Sequence, residues 1–279
     1  MSLLAADLRA FFAAGLKEVR QQRRYPTLFL GQLFWPMLLP AFWVLMGRAY
    51  SGNDPQALAA FAERAGSSNV AIFVFVGYAM YNWLSALLWG AGTALRQEQL
   101  RGTLEAVFVT PASRLVPLFG PGVGTLLPMA LTFASNFLAL RFFFGIFPPI
   151  GAVIQAAVIV VLGIPALYAI GALFAASVLR FGEVAPVVQL IRGMFVLACG
   201  ITFPVSMLPL WAQVWAKILP PTYIVDDIRR ILLRGDTIAD VAGDVAIVLS
   251  LAVVTGILAV AVFRYLEMSA RRTGMLGQF

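Results

Sequence analysis

Six long stretches of the chain contain no Asp, Glu, Lys or Arg, and short charged clusters separate them. These uncharged stretches are residues 25–47, 65–95, 115–140, 142–179, 193–216 and 245–263. A bilayer core about 30 Å thick requires roughly 20 apolar residues of helix, and the shortest stretch has 19. Inside lipid only helices and closed barrels satisfy every backbone group, and continuous apolar runs favour helices. The pattern therefore predicts an all-α integral membrane protein with six transmembrane helices.

Together with short connections, the predicted spans occupy most of the 279 residues, so we expect a single transmembrane domain. The six spans are predicted at about 26–48, 70–95, 115–140, 150–179, 184–207 and 242–263. The other segments are residues 1–24, 96–114, 208–240 and a tail at 264–279. Apolar residues of the first segment recur at helical spacing, which predicts an N-terminal amphipathic helix in the membrane interface. A plain basic tail is the alternative for that segment.

Positive charge is distributed unevenly between the predicted connections. The chain has 20 Lys and Arg against 13 Asp and Glu, a net charge of +7. With the N-terminus inside, the predicted cytoplasmic segments hold 12 of the 20 basic residues and the outer segments hold seven. Because basic residues concentrate in cytoplasmic loops, we interpret the excess as a topology signal, with both termini cytoplasmic, and expect no nucleic-acid partner.

The chain lacks most of the groups that enzymes and metal sites use. It has no histidine and one cysteine, and neither of its two lysines follows a glycine as in a phosphate-binding loop. The adjacent Asp226 and Asp227 are followed by Arg229 and Arg230. Because residues three or four apart are neighbours on a helix, these four predict a solvated face of ion pairs, not metal-binding carboxylates. We therefore predict no catalytic, cofactor or metal site and no ATP binding on this chain.

A distinctive polar segment follows the second predicted span. Apolar residues within 100–108 recur at the spacing of one helix face. Glu98, Arg101 and Glu105 lie on another face, as a ladder of ion pairs that suits water or a charged partner. Pro111 ends the helix, since proline disfavours the helical conformation in the residue before it. The spacing alone leaves open whether this amphipathic helix has a partner.

This segment resembles the cytoplasmic E-x-x-x-G-T-L-E-x-x-x-x-T-P-x-x-R motif of ABC type 2 permeases, the membrane subunits of bacterial exporters of drugs, polysaccharides and lipid-linked glycans. The residues that carry the resemblance are Glu98, Arg101, Gly102, Thr103, Leu104, Glu105, Thr110, Pro111 and Arg114. The likeness extends to the N-terminal amphipathic helix, the six spans and the long segment before the sixth span.

The resemblance implies an assembly. Two permease subunits form the pathway, a homodimer being favoured over a heterodimer, and two separate ATPase subunits that hold ATP and Mg bind below them. Residues 98–111 are then the coupling helix that contacts the ATPase, together with residues 5–24. The implied location is the bacterial cytoplasmic (inner) membrane, with membrane lipid as a further partner.

Residues 208–240 predict two amphipathic helices separated by Pro220 and Pro221. The first has tryptophans at a spacing that suits the membrane surface, and the second ends at Gly235. The resemblance implies external half-helices that cap the outer mouth of the pathway, with an ordinary amphipathic loop as the alternative. The residues we assign to this external gate are Trp211, Trp215, Tyr223, Arg229 and Arg230.

Polar residues inside the predicted spans are candidates for lining a translocation pathway, because polar groups in lipid are costly unless they face protein or water. The candidates are Asn82, Thr125, Asn136, Gln155, Gln189 and Arg192. Hydrogen bonding between helices is the alternative for the neutral residues. A structural role, or snorkelling of the side chain toward the cytoplasmic interface, is the alternative for Arg192.

Together these patterns predict the permease subunit of an ATP-driven exporter of a drug, lipid or glycan. An ion-gradient-driven secondary transporter and a membrane-embedded lipid-modifying enzyme are the alternatives. The first would need a carboxylate within a span, and the second a cluster of acidic residues or histidines near one interface. No Asp or Glu lies inside the five longest uncharged runs, and the sequence shows no such cluster near an interface. The cargo, and the choice between a channel and alternating access, stay open.

Overall fold

Helices dominate the described part of the chain, as the apolar runs predict. A computed structural model describes residues 26–51, 54–100, 124–181 and 184–273, with four isolated positions between 13 and 24, and these ranges contain no strand. The helices are α1 (Pro26–Ser51), α2 (Pro55–Ala65), α3 (Val70–Leu100), α4 (Leu126–Phe144), α5 (Ile150–Phe181), α6 (Val184–Ala198), α7 (Leu210–Ala216), α8 (Pro220–Arg229) and α9 (Ala242–Thr273).

Among the described helices, four are long and apolar enough to cross a bilayer, judged by length and composition. They are at Val70–Gly92, Leu126–Phe144, Ile150–Ser177 and Ala242–Leu266. α6 is apolar but has 15 residues. α1 has 26 residues but falls outside this set, and it contains two internal prolines. The spans predicted at 26–48 and 184–207 therefore stay predictions.

Two helices end at positions that the apolar pattern does not predict. α4 continues past residue 140 to Phe144, where Gly145 adopts a left-handed conformation (φ 66°) and donates hydrogen bonds to the preceding turn. α6 ends at Ala198, well before residue 207. Gly200 turns the chain there with φ 67°, and Val205–Met207 form a short 3-10 turn. A run without charge thus marks apolar surroundings and does not by itself fix the length of a helix.

α3 is the central helix, and it packs against α1, α4, α5, α6 and α8. Its large side chains, among them Phe75, Met80 and Trp83, are almost completely buried. In lipid, where the surroundings are as apolar as the core, such packing and hydrogen bonds between helices drive association. The position of α3 makes it the element through which most of the others are connected.

α5 and α9 pack side by side over much of their length. Small residues form this contact: a Cβ added at Gly256 would lie 4.0 Å from the Cβ of Ala169. A second cluster of buried small residues, with one phenylalanine, continues the contact: Ala91, Ala172, Ala175, Ala176, Ala259 and Phe263. Small side chains allow helix backbones to approach closely in a membrane.

Residues 199–241 lie against one end of the helix bundle, which we call the capped end. Ser206 Oγ donates to the backbone oxygen of Arg64, in the last turn of α2, at 3.5 Å. The backbone N–H of Ile238 donates to Gln155 Oε1, near the start of α5, at 3.0 Å. The connection between α1 and α3, the start of α5 and residues 199–241 therefore share one end of the bundle.

Candidate functional site

Arg229 is a buried cation at the capped end, with 6% of its surface exposed. Its guanidinium donates to Phe73 O at 3.2 and 2.9 Å, to Gly200 O at 2.5 Å and to Ile201 O at 2.9 Å. It also lies over the Phe73 ring, 3.4 Å from the centroid. Burial lowers the pKa of Arg229 to about 9, which still leaves the side chain charged at neutral pH. The side chain joins α8 to the start of α3 and to the turn after α6.

Asp227, two residues earlier, is a buried carboxyl group with 1% of its surface exposed. Its carboxyl group lies beside that of Asp244, and a hydrogen bond between the two side chains favours the protonated form of Asp227. Burial raises the pKa of Asp227 to about 8, with the negative charges of Asp244 and Asp226 adding to the effect and Arg230 opposing it. Because burial disfavours the charged form, the group is mainly protonated at neutral pH.

Arg230 connects the end of α8 to the start of α9. It forms ion pairs with Asp236 at 2.8 Å and with Asp244 at 3.0 Å, and donates to the backbone oxygen of Asp240 at 3.3 Å. The Asp240 carboxylate accepts hydrogen bonds from Thr237 N–H at 2.8 Å and Thr237 Oγ1 at 2.7 Å. These hydrogen bonds lower the pKa of Asp240. The turn before α9 is therefore held by polar contacts on both sides.

The prediction of a solvated ion-pair face at Asp226, Asp227, Arg229 and Arg230 is wrong for Asp227 and Arg229. Asp226 is exposed and Arg230 is partly exposed, but Asp227 and Arg229 are buried. Helical spacing identifies neighbours on one helix, but it does not show that α8 packs against α3, α5 and α9 at once. Because several faces of α8 are covered, two charged residues are enclosed with the apolar ones.

The tryptophans predicted at the external gate lie on the surface of α7. Trp211 is 70% exposed and Trp215 is 64% exposed, and Val214 and Ile218 beside them are exposed as well. Tyr223 donates its hydroxyl to the backbone oxygen of Lys217 at 2.9 Å. An exposed apolar face of this kind is typical of a helix at a membrane surface; a gating role for these residues stays a prediction.

Two polar contacts join helices at predicted pathway residues. Arg192 Nη1 donates to Gln189 Oε1 at 3.2 Å, Nη2 donates to the Tyr81 hydroxyl of α3, and the guanidinium lies 4.8 Å from the Tyr81 ring centroid. Thr125 Oγ1 and the Tyr168 hydroxyl of α5 are 3.1 Å apart. The sequence did not point to either tyrosine, because a tyrosine inside an apolar run looks like ordinary packing.

The other candidates do not join these contacts in one cluster. Asn82 donates to Tyr78 O of its own helix at 2.9 Å. Gln155 supports the capped end through Ile238, as described above. Tyr168, the partner of Thr125, lies 13 residues after Gln155 in α5. This separation is roughly 20 Å along the helix axis at 1.5 Å per residue. The described structure therefore places the predicted pathway residues at several depths of the bundle.

A cavity of about 350 Å³ lies between α3, α4 and α5 and is closed by Ile228 of α8 and by Leu232, which follows α8. Its walls are apolar, with side chains such as Phe75, Phe133, Val160 and Ile228, and Asn136 is the one polar residue among those that line it. Asn136 is 4% exposed. Its Nδ2 donates to Thr132 O at 2.7 Å, and its Oδ1 has no partner among the described residues.

The predicted coupling helix falls almost entirely outside the described residues. Glu98 belongs to the last turn of α3, whose backbone is described as far as Leu100. The remaining members, Arg101, Gly102, Thr103, Leu104, Glu105, Thr110 and Pro111, lie outside the described ranges, as does most of the predicted N-terminal helix at 1–24. Within those ranges, no three His, Cys, Asp or Glu side chains are grouped so that they could hold a metal ion.

Long apolar helices joined by buried polar contacts define a multi-pass α-helical membrane protein. A family model described as ABC-2 family transporter protein matches residues 32–261. The match covers most of the chain, so the chain belongs to the ABC-2 transporter family, which confirms the family that the sequence resembles. It is therefore a permease component of an ABC transporter, which works with an ATPase partner. Comparison with curated proteins gives no match.

Proposed function

We propose that this permease belongs to an ATP-driven exporter and moves an amphipathic or lipid-linked substrate, such as a drug, lipid or glycan, outward across the membrane. The observation that carries the proposal is the motif from Glu98 to Arg114, which lies inside the family match at 32–261. This motif resembles the cytoplasmic segment of the exporters in the family.

The proposed assembly is a homodimer of the permease with two ATPase subunits, which hold ATP and Mg. Each permease crosses the bacterial inner membrane six times, with both termini in the cytoplasm. The supporting observation is the charge distribution, with 12 of the 20 basic residues in the predicted cytoplasmic segments. In this orientation the capped end faces outward and residues 98–111 face the ATPase.

In the proposed mechanism, closure of the ATPase pair on ATP moves residues 98–111 and 5–24. α3 is a continuous helix of 31 residues, about 46 Å long, and it begins at the capped end. Arg229 holds Phe73 in its first turn. Because α3 contacts five other helices, displacement of its Leu100 end moves the helices around it and changes access to the pathway.

Reversal of one charge in the coupling helix tests this proposal. The permease is purified with the ATPase encoded beside it, and co-elution and ATP turnover are compared between the native chain, Glu105→Arg and the control Glu63→Arg. Glu63 is exposed on α2, away from the Leu100 end of α3. We expect Glu105→Arg to lower both readouts about tenfold, because like charges across an interface oppose association, and Glu63→Arg to leave them unchanged.

Two results would contradict the proposal. One is a native permease that elutes without any ATPase. The other is an equal effect of both charge reversals on ATP turnover in folded protein, which would place the ATPase contact elsewhere. The elution profile and melting temperature of each variant alone in detergent establish that it is folded.

A further inference from the structure

Between Ala71 and Gly92, α3 is exposed along a single strip, which lies in the half of the span that leads toward Leu100. Every residue from Ala71 to Met80 is buried, whereas six of the next ten are partly exposed: Tyr81, Asn82, Ser85, Ala86, Trp89 and Gly90. Their i, i+4, i+8 spacing places them on one face of the helix. Three of them carry a hydroxyl or amide group, which is costly against lipid, so this open strip of α3 suits a polar path.

Arg192 of α6 lies at the end of the open strip, in the middle of the span. Tyr81 is the middle residue of Val70–Gly92, roughly 16 Å along the helix from either end. The Arg192 guanidinium donates to the Tyr81 hydroxyl and lies 4.8 Å from the ring centroid. Its charge is therefore held at mid-depth and does not snorkel to an interface. A charge at this depth is costly in lipid and needs a partner or a water-filled path.

The groups around Arg192 offer more hydrogen-bond donors than acceptors. Arginine has five N–H donors and no acceptor. Gln189 Oε1 accepts from Nη1 at 3.2 Å, which directs the amide so that its NH₂ group remains a donor. The Tyr81 oxygen accepts from Nη2, so its own proton is available to another acceptor.

This donor-rich cluster has no negative charge beside it in the part of the chain that the structure describes. No carboxylate pairs with Arg192 there, since the ion pairs belong to Arg230. The hydrogen bond between Arg192 Nη1 and Gln189 lies at the surface of the bundle, whereas Nε is buried. An incoming acceptor therefore reaches the cluster from the Nη1 side, where Gln189 is exposed.

We propose that Arg192, Gln189 and Tyr81 bind the anionic group of the cargo, a phosphate, sulfate or carboxylate attached to an apolar body. The oxyanion supplies the negative charge and the acceptors that the cluster lacks. The apolar body lies against α6, where Leu190 and Met194 are exposed beside the site. This inference rests on the proposed export function, because it names the class of cargo. In the orientation proposed above, the open strip lies in the cytoplasmic half of the span, on the side from which an exported molecule arrives.

A matched pair of photoactivatable probes tests the site in the full-length permease in phosphatidylcholine nanodiscs, without an ATPase. One probe is hexadecyl phosphate with a diazirine beside the phosphate. The other is its dimethyl ester, which keeps the phosphoryl oxygen but has no charge. We expect labelled peptides, identified by mass spectrometry, within 81–90 and 186–194. The phosphate should exceed the ester at least about tenfold there, the ratio that one hydrogen bond to a charged group supports.

Two variants, each with a matched control, separate the site from general attraction of anions. Arg192→Gln should bring the phosphate-to-ester ratio to about one, whereas Arg141→Gln, which removes an exposed charge at the end of α4, should leave it unchanged. Gln189→Leu removes one donor and keeps the charge, so the ratio should fall by about threefold or more. Gln56→Leu on the exposed surface of α2 should not change it.

Competition with excess inorganic phosphate distinguishes an amphipathic ligand from a free anion. We expect labelling to persist, because an anion without an apolar body pays the desolvation cost at mid-depth with no compensating apolar contact. Displacement of the probe by inorganic phosphate would show a site for a free anion and overturn the proposal.

Equal labelling by the phosphate and the ester in the native chain would also overturn it. So would a ratio that Arg192→Gln and Gln189→Leu leave unchanged, or one that Arg141→Gln lowers as much as Arg192→Gln does. Melting temperatures in detergent establish that the variants are folded, and Gln189→Leu tests the site with Arg192 in place. ATPase association is not part of any readout, so a failure here contradicts the class of cargo and leaves the export proposal standing.

Discussion

Arg229 and Asp227 lie two residues apart in the same buried region, and each is accommodated in a different way. Arginine has five donors in a rigid fork and stays charged, and Arg229 directs them at the backbone oxygens of Phe73, Gly200 and Ile201. Asp227 has no such donors around it and is mainly neutral, because its pKa is raised to about 8. These hydrogen bonds join α8 to the start of α3 and to the turn after α6, which makes this one side chain a support for three segments.

The neutral state of Asp227 predicts a pH dependence of stability. Its pKa rises from 3.8 in the unfolded chain to about 8 in the folded chain. Between these values the folded state holds a proton that the unfolded state has lost, so the free energy of unfolding falls as pH rises toward 8. We expect a loss on the order of a few kcal/mol across this window, measured as a decreasing melting temperature in detergent between pH 5 and pH 8.

Asp227→Asn should flatten this pH dependence, because asparagine has the shape of the protonated acid and does not titrate. Glu63→Gln on the exposed surface of α2 is the matched control and should keep the native slope. A native melting temperature that rises steadily from pH 5 to pH 8, or a slope that survives in Asp227→Asn, would show that this carboxyl is charged in the folded protein.

At the scale of elements, α3 approaches the turn after α6 so closely that one position requires glycine. A Cβ added at Gly77 would lie 1.9 Å from Ile201 O and 2.7 Å from Arg229 Nη2. Backbone cannot yield as a flexible side chain can, so Gly77→Ala must separate α3 from the turn or break the Arg229 contacts. Overpacking of this kind costs about 1–3 kcal/mol. We therefore expect the melting temperature to fall by roughly 2–12 °C.

The control for this prediction is Gly193→Ala in α6. A Cβ added at Gly193 meets no atom within 4 Å, and alanine favours a helix over glycine by roughly 0.5–1 kcal/mol. Its melting temperature should stay at the native value or rise slightly. Equal melting temperatures for Gly77→Ala and Gly193→Ala would contradict the close approach of α3 and the turn.

The apolar runs predicted where the long helices lie but not how they enclose polar groups. The predicted spans at 70–95 and 150–179 begin at the first residues of α3 and α5, because polar residues at 67–69 and prolines at 148–149 mark those boundaries in the sequence. The end of α6 was missed, since the turn at Gly200 lies in a run without charge. The enclosure of Asp227 depends on α8 being covered by three other helices, which is a tertiary fact that helical spacing does not contain.

At the scale of the whole molecule, contacts between distant parts of the chain place several connections on one side. Ser206 contacts Arg64 and Gln155 contacts Ile238, so α2 and the turn before α9 belong to the same end of the bundle. This grouping holds whichever way the protein is inserted. The uneven distribution of basic residues then orients it, and it predicts that the capped end is outside the cytoplasm.

Single-cysteine labelling in intact cells checks the grouping and the orientation together. The native Cys199 is buried, with 1% exposed, and is replaced by serine. Gln56→Cys and Ala239→Cys place thiols at exposed positions of the capped end, and Gln278→Cys places one in the tail. A membrane-impermeant maleimide should label the first two in intact cells and the third after permeabilisation, since the predicted tail follows the sixth span.

Different labelling of Gln56→Cys and Ala239→Cys would contradict the fold, because their segments share one end of the bundle. Labelling of both after permeabilisation alone would keep the fold but reverse the orientation, and the Glu98–Arg114 segment would then face away from any cytoplasmic ATPase.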